Sequence, residues 1–277
     1  MVIAGTLRSI QEFDMDHEIL THEEIRKRYP MMQADEDEIG LFESDAGYLN
    51  PELCVHTHLK LAEELGAELH FQERLLDYRI QLGSENDDDT EVITVSTDRG
   101  EYRARKLLLT VGAWAPQIYG AEIASMLTLH VERRVLCWLL PTHHREEFKV
   151  RGNIAYYVRI LYILNAVCPC VCVLLQQIPV YIWDLGSRGN FYGFPEQAQF
   201  AASGVKVAFH SVREGNGEEE GFAKRKQLLR PEDVQREVTD EDIDGLREVL
   251  QRKMPALNGE LLETATCMYT MTPDEHL

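Results

Sequence analysis

The stretch Gly204-Val205-Lys206-Val207-Ala208-Phe209-His210 alternates apolar residues with polar or small ones, which is the pattern of a half-buried β-strand. In a strand, Lys206, Ala208 and His210 lie on one face, and the three bulky apolar residues lie on the other. The apolar face is expected to cover a core, and the face with Lys206 and His210 could supply positive charge to a pocket. Alternation by itself favours a simpler interpretation, in which the polar face is only solvated.

Strand character continues on the N-terminal side of this stretch. The runs 131–140 and 178–185 are rich in apolar and aromatic residues and are joined by polar turns, so an antiparallel sheet is predicted. A helix with one apolar face is predicted within residues 231–254, and it should begin near Thr239 or Asp240.

The first part of the chain has a different character, in which helices alternate with short strands. Thr21 and Glu24 have the spacing of a capping box, which predicts a short helix after Thr21. From Asn50, an amphipathic helix is expected to open on Pro51 and to close at Gly66. Strands are predicted at residues 67–71, 92–97 and 106–110, so this region should form an α/β layer.

Composition excludes several classes of function. Forty-seven acidic and 28 basic residues give a formal net charge of -19, which argues against a nucleic-acid partner or an anionic lipid surface. The six cysteines form no regular framework, which suits a reducing compartment. Cys168, Cys170 and Cys172 lack a second pair or a nearby histidine, so no metal site is expected. Residues 1–11 lack the charge and apolar pattern of a secretory signal.

An apolar run at residues 154–175 does not fit its acidic flanks. It has the length of a membrane span, but Arg159 and Pro169 lie inside it, and a charge near the centre of a span is costly. Three interpretations stay open: an insertion foreign to the ancestral fold, such as translated intron or a misjoined gene model; a buried helix or strand pair; and a membrane segment.

Four short strings could carry chemistry, and each also has a plain structural explanation. The first, at residues 44–51, is sufficiently explained as a capped helix entry, and the second, at residues 107–114, as a strand running into a glycine-alanine turn. The third joins Tyr192-Gly193-Phe194-Pro195 to the strand quoted above. The fourth begins at Cys267 and runs to residue 276, where a lone cysteine is more often a small buried hydrophobe than a reactive thiolate.

In this order and at these separations, the four strings resemble the monomeric sarcosine oxidase and N-methyl-L-tryptophan oxidase family, FAD-dependent amine oxidases of the D-amino-acid-oxidase-like superfamily. The resemblance covers most of the chain except about residues 151–177. It implies a truncated two-domain flavoprotein oxidase fold of mixed α+β and α/β type. Residues 1–50 and 126–277 would belong to an antiparallel-sheet substrate domain, and residues 51–125 to the middle of a Rossmann-like FAD-binding layer.

The resemblance also implies roles for individual residues. Cys267 stands where the family attaches its flavin through a thioether, and Tyr192 and Tyr269 match tyrosines that line the substrate cavity. Lys206 matches a lysine that assists the reduction of oxygen, because a fixed cation stabilises developing negative charge. His210 matches an active-site histidine. The residues expected on the cofactor side are Gly112, Ala113, Trp114 and Leu75.

The activity implied by the resemblance is the oxidation of the C–N bond of a secondary amine or N-methyl amino acid. Oxygen is the electron acceptor, and the products are an imine and hydrogen peroxide, with FAD carrying the redox chemistry. The expected partners are therefore a small-molecule amine and O2, without nucleic acid and without a membrane. A monomer is expected, in the cytoplasm or the peroxisome.

Two departures from the family pattern shape the expectation for this polypeptide. The family's Gly-x-Gly-x-x-Gly turn, which holds the pyrophosphate of FAD, occurs nowhere in the sequence, and a later flavin-contacting segment is not found after the Cys267 string. We therefore expect an internal fragment that does not hold FAD and is inactive in this form. The alternatives are a non-catalytic remnant or soluble interaction module, and a protein tethered to a membrane by residues 154–175.

Overall fold

The computed structural model describes residues 2–43, 47–81, 92–119, 126, 128–149, 178–196, 204–211, 227–228 and 230–273. The apolar run at 154–175, with Cys168, Cys170 and Cys172, lies outside the described residues, as do residues 44–46 of the first string and 274–276 of the fourth. Within the described part of the chain, no helix is both long enough and apolar enough to cross a membrane.

The elements are numbered here in chain order. The described helices are α1 (Val2–Phe13), α2 (His22–Arg28), α3 (Pro51–Glu64), α4 (Ala115–Ile118), α5 (Arg145–Phe148) and α6 (Asp240–Lys253). The described strands are β1 (Glu18–Thr21), β2 (Ile39–Phe42), β3 (Leu75–Gln81), β4 (Val92–Thr97), β5 (Glu101–Ala104), β6 (His130–Leu139), β7 (Tyr181–Asp184), β8 (Asn190–Phe194), β9 (Val205–Ser211), β10 (Gln227–Leu228) and β11 (Leu261–Met271).

The chain divides into two compact units. Unit 1 comprises Met1–Gly47, Glu132–Leu228 and Asp233–Tyr269. Unit 2 comprises Tyr48–Val131, Leu229–Glu232 and Thr270–Leu277. The assignment of a substrate role to one part of the chain and a cofactor role to the other stays a prediction.

Unit 1 is built on a six-stranded sheet with the strand order β10-β6-β9-β8-β7, in which β11 also pairs with β6. The described pairings of β9 with β6 and β8 are antiparallel, and they place Trp138 and Phe194 opposite Lys206 on either side. Directly opposed residues of neighbouring strands share a face of the sheet. Trp138, Lys206 and Phe194 therefore lie on one face of the sheet. This is the polar face that the alternation of residues 204–210 predicts for Lys206.

The reverse face of this sheet forms the core of unit 1. Val205 and Val207 are fully buried there, in one hydrophobic cluster with Phe191 of β8 and with the apolar side of α6. Helix α6 begins after Thr239, where Thr239 and Asp242 form a capping box, and it presents Leu246, Val249 and Leu250 among its buried residues. The predicted core face of β9 and the predicted start of the C-terminal helix are both confirmed.

Gly193 has a packing role in the Tyr192-Gly193-Phe194-Pro195 string. It pairs with Tyr181 of β7, and a Cβ at position 193 would collide with the Tyr181 hydroxyl group. Only glycine leaves room for the Tyr181 ring to cross the strand at this point. The glycine of the string is therefore explained by strand packing, without any ligand.

Unit 2 contains α3 and a three-stranded antiparallel sheet, β3-β4-β5. The helix begins at Pro51 as predicted, with the Asn50 side chain accepting a hydrogen bond from the Leu53 amide at 2.9 Å. It ends at Glu64, just before Gly66, whose φ of 94° is suited to a residue without a side chain.

The strands predicted at residues 67–71 and 106–110 are wrong, because the structure gives neither segment a strand. The Thr97 hydroxyl oxygen accepts hydrogen bonds from the amides of Arg99 and Gly100, which closes a tight turn directly after β4. The next strand therefore starts at Glu101, and the polar β5 pairs with β4. The apolar residues that suggested a strand at 106–110 follow the hairpin instead of forming it.

Candidate functional site

The residues expected to act on substrate and oxygen come from three strands of unit 1. Tyr192 lies on β8, Lys206 and His210 lie on β9, and Tyr269 lies on β11. Tyr192 pairs with Ala208, which stands between Lys206 and His210 on the same face of β9. The face opposite the core is therefore the one that carries these side chains.

Three of the predicted residues form a contiguous cluster. The Nδ1 atom of His210 lies 3.2 Å from the Tyr269 hydroxyl oxygen, within hydrogen-bond distance. The ring centres of His210 and Tyr269 are 5.6 Å apart, and those of Tyr192 and His210 are 6.4 Å apart. The Tyr269 hydroxyl group also contributes to the raised pKa of Tyr192. The structure thus brings together one imidazole and two phenols from strands that are far apart in the sequence.

Lys206 occupies a different position on the same face. Its Nζ atom lies 5.1 Å from the centre of the Phe194 ring and 5.7 Å from the centre of the Trp138 ring. Aromatic faces attract a cation through their quadrupole, so the two rings hold the ammonium group on this face. Lys206 and His210 are four positions apart on one strand, or about 13 Å along it. The ammonium group and the tyrosine–histidine cluster are therefore separate parts of one surface.

Cys267 stands two residues before Tyr269 on β11, so the two side chains share a face of that strand. Its thiol is free and half-buried, and Sγ lies 3.8 Å from the Met268 carbonyl oxygen. A free, partly accessible thiol on the face that bears the tyrosine–histidine cluster is chemically suited to a covalent bond with a ligand.

Two charged residues of this site were not predicted from the sequence. Arg134 and Glu132 lie two positions apart on β6, and both side chains are buried, with 6% and 2% of their side-chain surface exposed. Arg134 pairs with Glu132, and its guanidinium carbon lies 4.8 Å from the centre of the Tyr269 ring. The signal in the sequence was the i, i+2 spacing of two opposite charges inside a predicted strand.

Burial and charge set the protonation states in the cluster. Although His210 remains partly exposed, desolvation lowers its pKa, and the nearby Arg134 cation lowers it further. Burial raises the pKa of Tyr192, with contributions from Tyr269 and Cys267. Burial also raises the pKa of Tyr269. At neutral pH the imidazole is therefore mostly uncharged and able to accept a proton, and both phenols keep theirs.

The residues expected on the cofactor side belong to unit 2. Gly112, Ala113 and Trp114 form a single 3₁₀ turn, with Gly112 at a φ of 51°. The Trp114 indole nitrogen donates a hydrogen bond to Glu232 at 3.0 Å, within the same unit. Leu75 begins β3 opposite Thr97. A cofactor role for these four residues stays a prediction.

Comparison with known proteins adds independent information. The sequence profile of the family described as "FAD dependent oxidoreductase" matches residues 3–277. The chain is 32% identical to a monomeric sarcosine oxidase of Streptomyces avermitilis, over 100% of this chain and 59% of that protein. It is 24% identical to an N-methyl-L-tryptophan oxidase of Salmonella enteritidis, over 99% of this chain and 59% of that protein.

A solved structure with a similar fold is NikD, an unusual amino acid oxidase essential for nikkomycin biosynthesis. The TM-score is 0.64 at 17% sequence identity, over 99% of this chain and 57% of that chain. The predicted flavoprotein oxidase fold is therefore confirmed as a fold. The chain spans somewhat less than three fifths of the length of each of these three proteins.

Proposed function

This chain belongs to the family of FAD dependent oxidoreductases, and on that premise we propose that unit 1 provides the substrate side of an oxidase of secondary amines or N-methyl amino acids. The names of its relatives, sarcosine oxidase and N-methyl-L-tryptophan oxidase, support this substrate class. The proposed reactants are a small amine and O2, and the proposed products are an imine and hydrogen peroxide.

The observation that carries the proposal is the composition of one face of the unit 1 sheet. That face holds an ammonium group, a neutral imidazole and two phenols, while the reverse face is the hydrophobic core. Partial burial and the nearby Arg134 cation both lower the pKa of His210, which keeps the imidazole of this face neutral at pH 7. The grouping is suited to holding a polar small molecule in a defined protonation state.

The chain contains a residue suited to holding the flavin ring of FAD, but it lacks the glycine-rich turn that would hold the pyrophosphate. The free thiol of Cys267 stands on the face that carries Tyr269, and we propose that it holds the flavin through a thioether. Gly112, Ala113, Trp114 and Leu75 are proposed as further cofactor contacts. The sequence contains no Gly-x-Gly-x-x-Gly turn, so no residue is named for the pyrophosphate.

FAD, when bound, supplies the redox step by accepting a hydride from the carbon beside the amine nitrogen and passing two electrons to oxygen. The chain's own residues prepare that step. A neutral His210 whose Nδ1 accepts from the Tyr269 hydroxyl group carries its ring proton on Nε2, where it can donate a hydrogen bond to the substrate. Lys206 offers a fixed positive charge where negative charge develops on oxygen. Tyr192 remains protonated and can donate a further hydrogen bond to the substrate.

The test uses a fusion protein that joins this chain to the segments of the Streptomyces avermitilis relative that it does not match. We expect the fusion to bind FAD, as seen in its visible spectrum, and to release hydrogen peroxide when N-methyl amino acids are added. Lys206→Met should slow peroxide release by roughly tenfold or more, whereas the control Lys149→Met, at a lysine whose ammonium group pairs with Glu146, should not. Stoichiometric flavin that no secondary amine reduces would refute the proposed substrate class.

Covalent attachment is tested in the same fusion. With Cys267 intact, flavin should stay with the protein after acid precipitation, and with Cys267→Ser it should be released into the supernatant. The control is Cys54→Ser, because Cys54 is also a free, half-buried thiol but lies on α3. Equal release from the parent and Cys267→Ser would remove Cys267 from this role.

A further inference from the structure

Beneath the tyrosine–histidine cluster lies a buried ion pair that the proposed chemistry does not use. The side chains of Arg134 and Glu132 are 6% and 2% exposed. Removing two charges from water is costly, and their attraction often does no more than offset that cost. The Arg134–Glu132 pair is therefore not explained by a gain in stability. Its contacts with neighbouring residues suggest another role.

Arg134 contacts both partners of the His210–Tyr269 hydrogen bond. Its Nε atom donates to the His210 carbonyl oxygen at 3.0 Å, and its guanidinium carbon lies 4.8 Å from the centre of the Tyr269 ring. Its two terminal nitrogens donate to the Glu132 carboxylate and, at 3.1 Å, to the Arg133 carbonyl oxygen. Because β6 pairs with both β9 and β11, this one side chain reaches His210 on one neighbour and Tyr269 on the other.

We propose that Glu132 and Arg134 form a positioning pair, in which Glu132 fixes the guanidinium group and the guanidinium group holds His210 and Tyr269 in hydrogen-bond contact. This inference rests on the proposed function for its catalytic meaning, because it concerns the same site. The geometric part concerns three strands of unit 1 and does not require a bound cofactor.

The pair also has an electrostatic consequence for His210. The ionisable groups that the four strands contribute to the site are Arg134 and Glu132 from β6, Tyr192 from β8, Lys206 from β9, and Tyr269 and Cys267 from β11, and of these Tyr192 and Tyr269 contact the imidazole. Burial lowers the pKa of His210, and the Arg134 cation lowers it further. A neutral imidazole can accept a hydrogen bond at Nδ1 from the Tyr269 hydroxyl group, whereas an imidazolium can only donate. The same cation therefore contacts both partners of the hydrogen bond and adds to the effect of burial in keeping the imidazole neutral.

The experiment follows the His210 ring by NMR during a pH titration of the purified chain, with the signal assigned through His210→Gln. Arg134→Met removes the charge and the donors, and we expect the His210 midpoint to move to higher pH. Arg134→Lys keeps the charge, so its midpoint should stay below that of Arg134→Met. Glu132→Gln leaves the cation uncompensated, and the midpoint should move to lower pH than in the parent.

The control is Arg133→Met. Arg133 is the neighbouring arginine on β6, and it pairs with Asp242 at 2.7 Å and not with the site. This change should lower the unfolding midpoint and leave the His210 titration unchanged. A His210 midpoint that responds equally to Arg133→Met and Arg134→Met would overturn the proposal.

If Arg134→Met does not fold, Glu132→Gln still decides, because an unchanged His210 midpoint in that folded variant would also overturn the positioning pair. The titration needs no flavin. A failure of the oxidase assay and a failure of the positioning pair can therefore be told apart.

Discussion

Helices α3 and α6 are both 14 residues long and both have an N-terminal cap, yet they are held in different ways. Six residues of α6 are buried, whereas none of the described residues of α3 is buried. Helices of this length are marginal in water by themselves, and most of their stability comes from packing an apolar face. The cap and the sequence pattern are sufficient to specify a helix, but only α6 has a core to stabilise it.

The same contrast holds for the strands of the two units. Val205 and Val207 on β9 in unit 1 are fully buried, while Leu76 and Ile80 on β3 in unit 2 are 59% and 58% exposed. Burying a large aliphatic side chain contributes about 1.5–3 kcal/mol. We therefore expect unit 1 to unfold as the more stable and more cooperative part of the chain.

The largest effect is expected from truncating the core of unit 1. Phe191 is fully buried, and its ring stacks on Trp183 at a centroid distance of 5.7 Å. Phe191→Ala should lower the free energy of unfolding by about 3–5 kcal/mol, measured by denaturant titration. The matched change in unit 2 is Phe71→Ala, at a residue 61% exposed, and it should cost less than about 0.5 kcal/mol. Similar losses at both positions would contradict the contrast between the units.

A smaller effect is expected from the ion pair that ties β6 to α6. Arg133 donates two hydrogen bonds to Asp242, at 2.7 and 2.9 Å, and both side chains are mostly buried. Arg133→Met should cost about 2–3 kcal/mol, because it leaves a partly buried carboxylate without its charged partner. The exposed pair Arg79–Asp77 of unit 2 is the comparison, and Arg79→Met should change the free energy of unfolding by about 0–0.5 kcal/mol. A large cost for Arg79→Met would show that unit 2 is better packed than its exposure indicates.

Removing a helix cap should cost about 1 kcal/mol in either helix, but the loss should appear in different measurements. Thr239→Ala removes the hydroxyl group that donates to Asp242 at the start of α6, which is packed into the core, so the midpoint of global unfolding should fall. Asn50→Ala removes the cap of α3, so the loss should appear as faster amide exchange in α3 with little change in the midpoint. A fall in the midpoint with Asn50→Ala would mean that α3 unfolds together with the core.

The smallest effect concerns pH. Burial opposes ionisation of Asp242, but hydrogen bonds from Arg133 and Thr239 outweigh it and hold the pKa of Asp242 below its ordinary value. Because the folded-state pKa is the lower one, the stabilisation is present above the unfolded pKa of about 3.9 and is lost as pH falls through the folded pKa. Asp242→Asn should therefore make the free energy of unfolding less dependent on pH below about 4. An unchanged acid dependence in Asp242→Asn would exclude Asp242 as its source.

Local sequence predicted the elements whose signals are local. The capping box of Thr21 and Glu24 gave α2, Asn50 with Pro51 gave the start of α3, and the alternation around Lys206 gave β9 and its core face. The prediction is wrong at residues 106–110, where the apolar composition favours a strand but the structure has none. A strand needs a neighbouring strand to pair with. Because a tight turn follows β4 directly, the polar β5 pairs with β4, and residues 106–110 do not.

The candidate site shows the same division. The resemblance of their strings to an oxidase family points to Tyr192, Lys206, His210, Cys267 and Tyr269, and the chain's membership of the family of FAD dependent oxidoreductases is confirmed. The cluster of Tyr192, His210 and Tyr269 cannot be predicted from their spacing. Tyr192 and Tyr269 are 77 positions apart, and only the pairing of their strands brings them near His210.

The caps, the alternation of β9 and the chemical groups available to the site can be predicted from the sequence, because each depends on residues within a few positions of one another. The place of Arg134 and Glu132 in the site follows from the assembled sheet, because it depends on β6 pairing with both β9 and β11. The tertiary structure also decided that α6 is buried and α3 exposed, although both carry apolar residues. Burial is set by what packs on a face, and that is a property of the assembled fold.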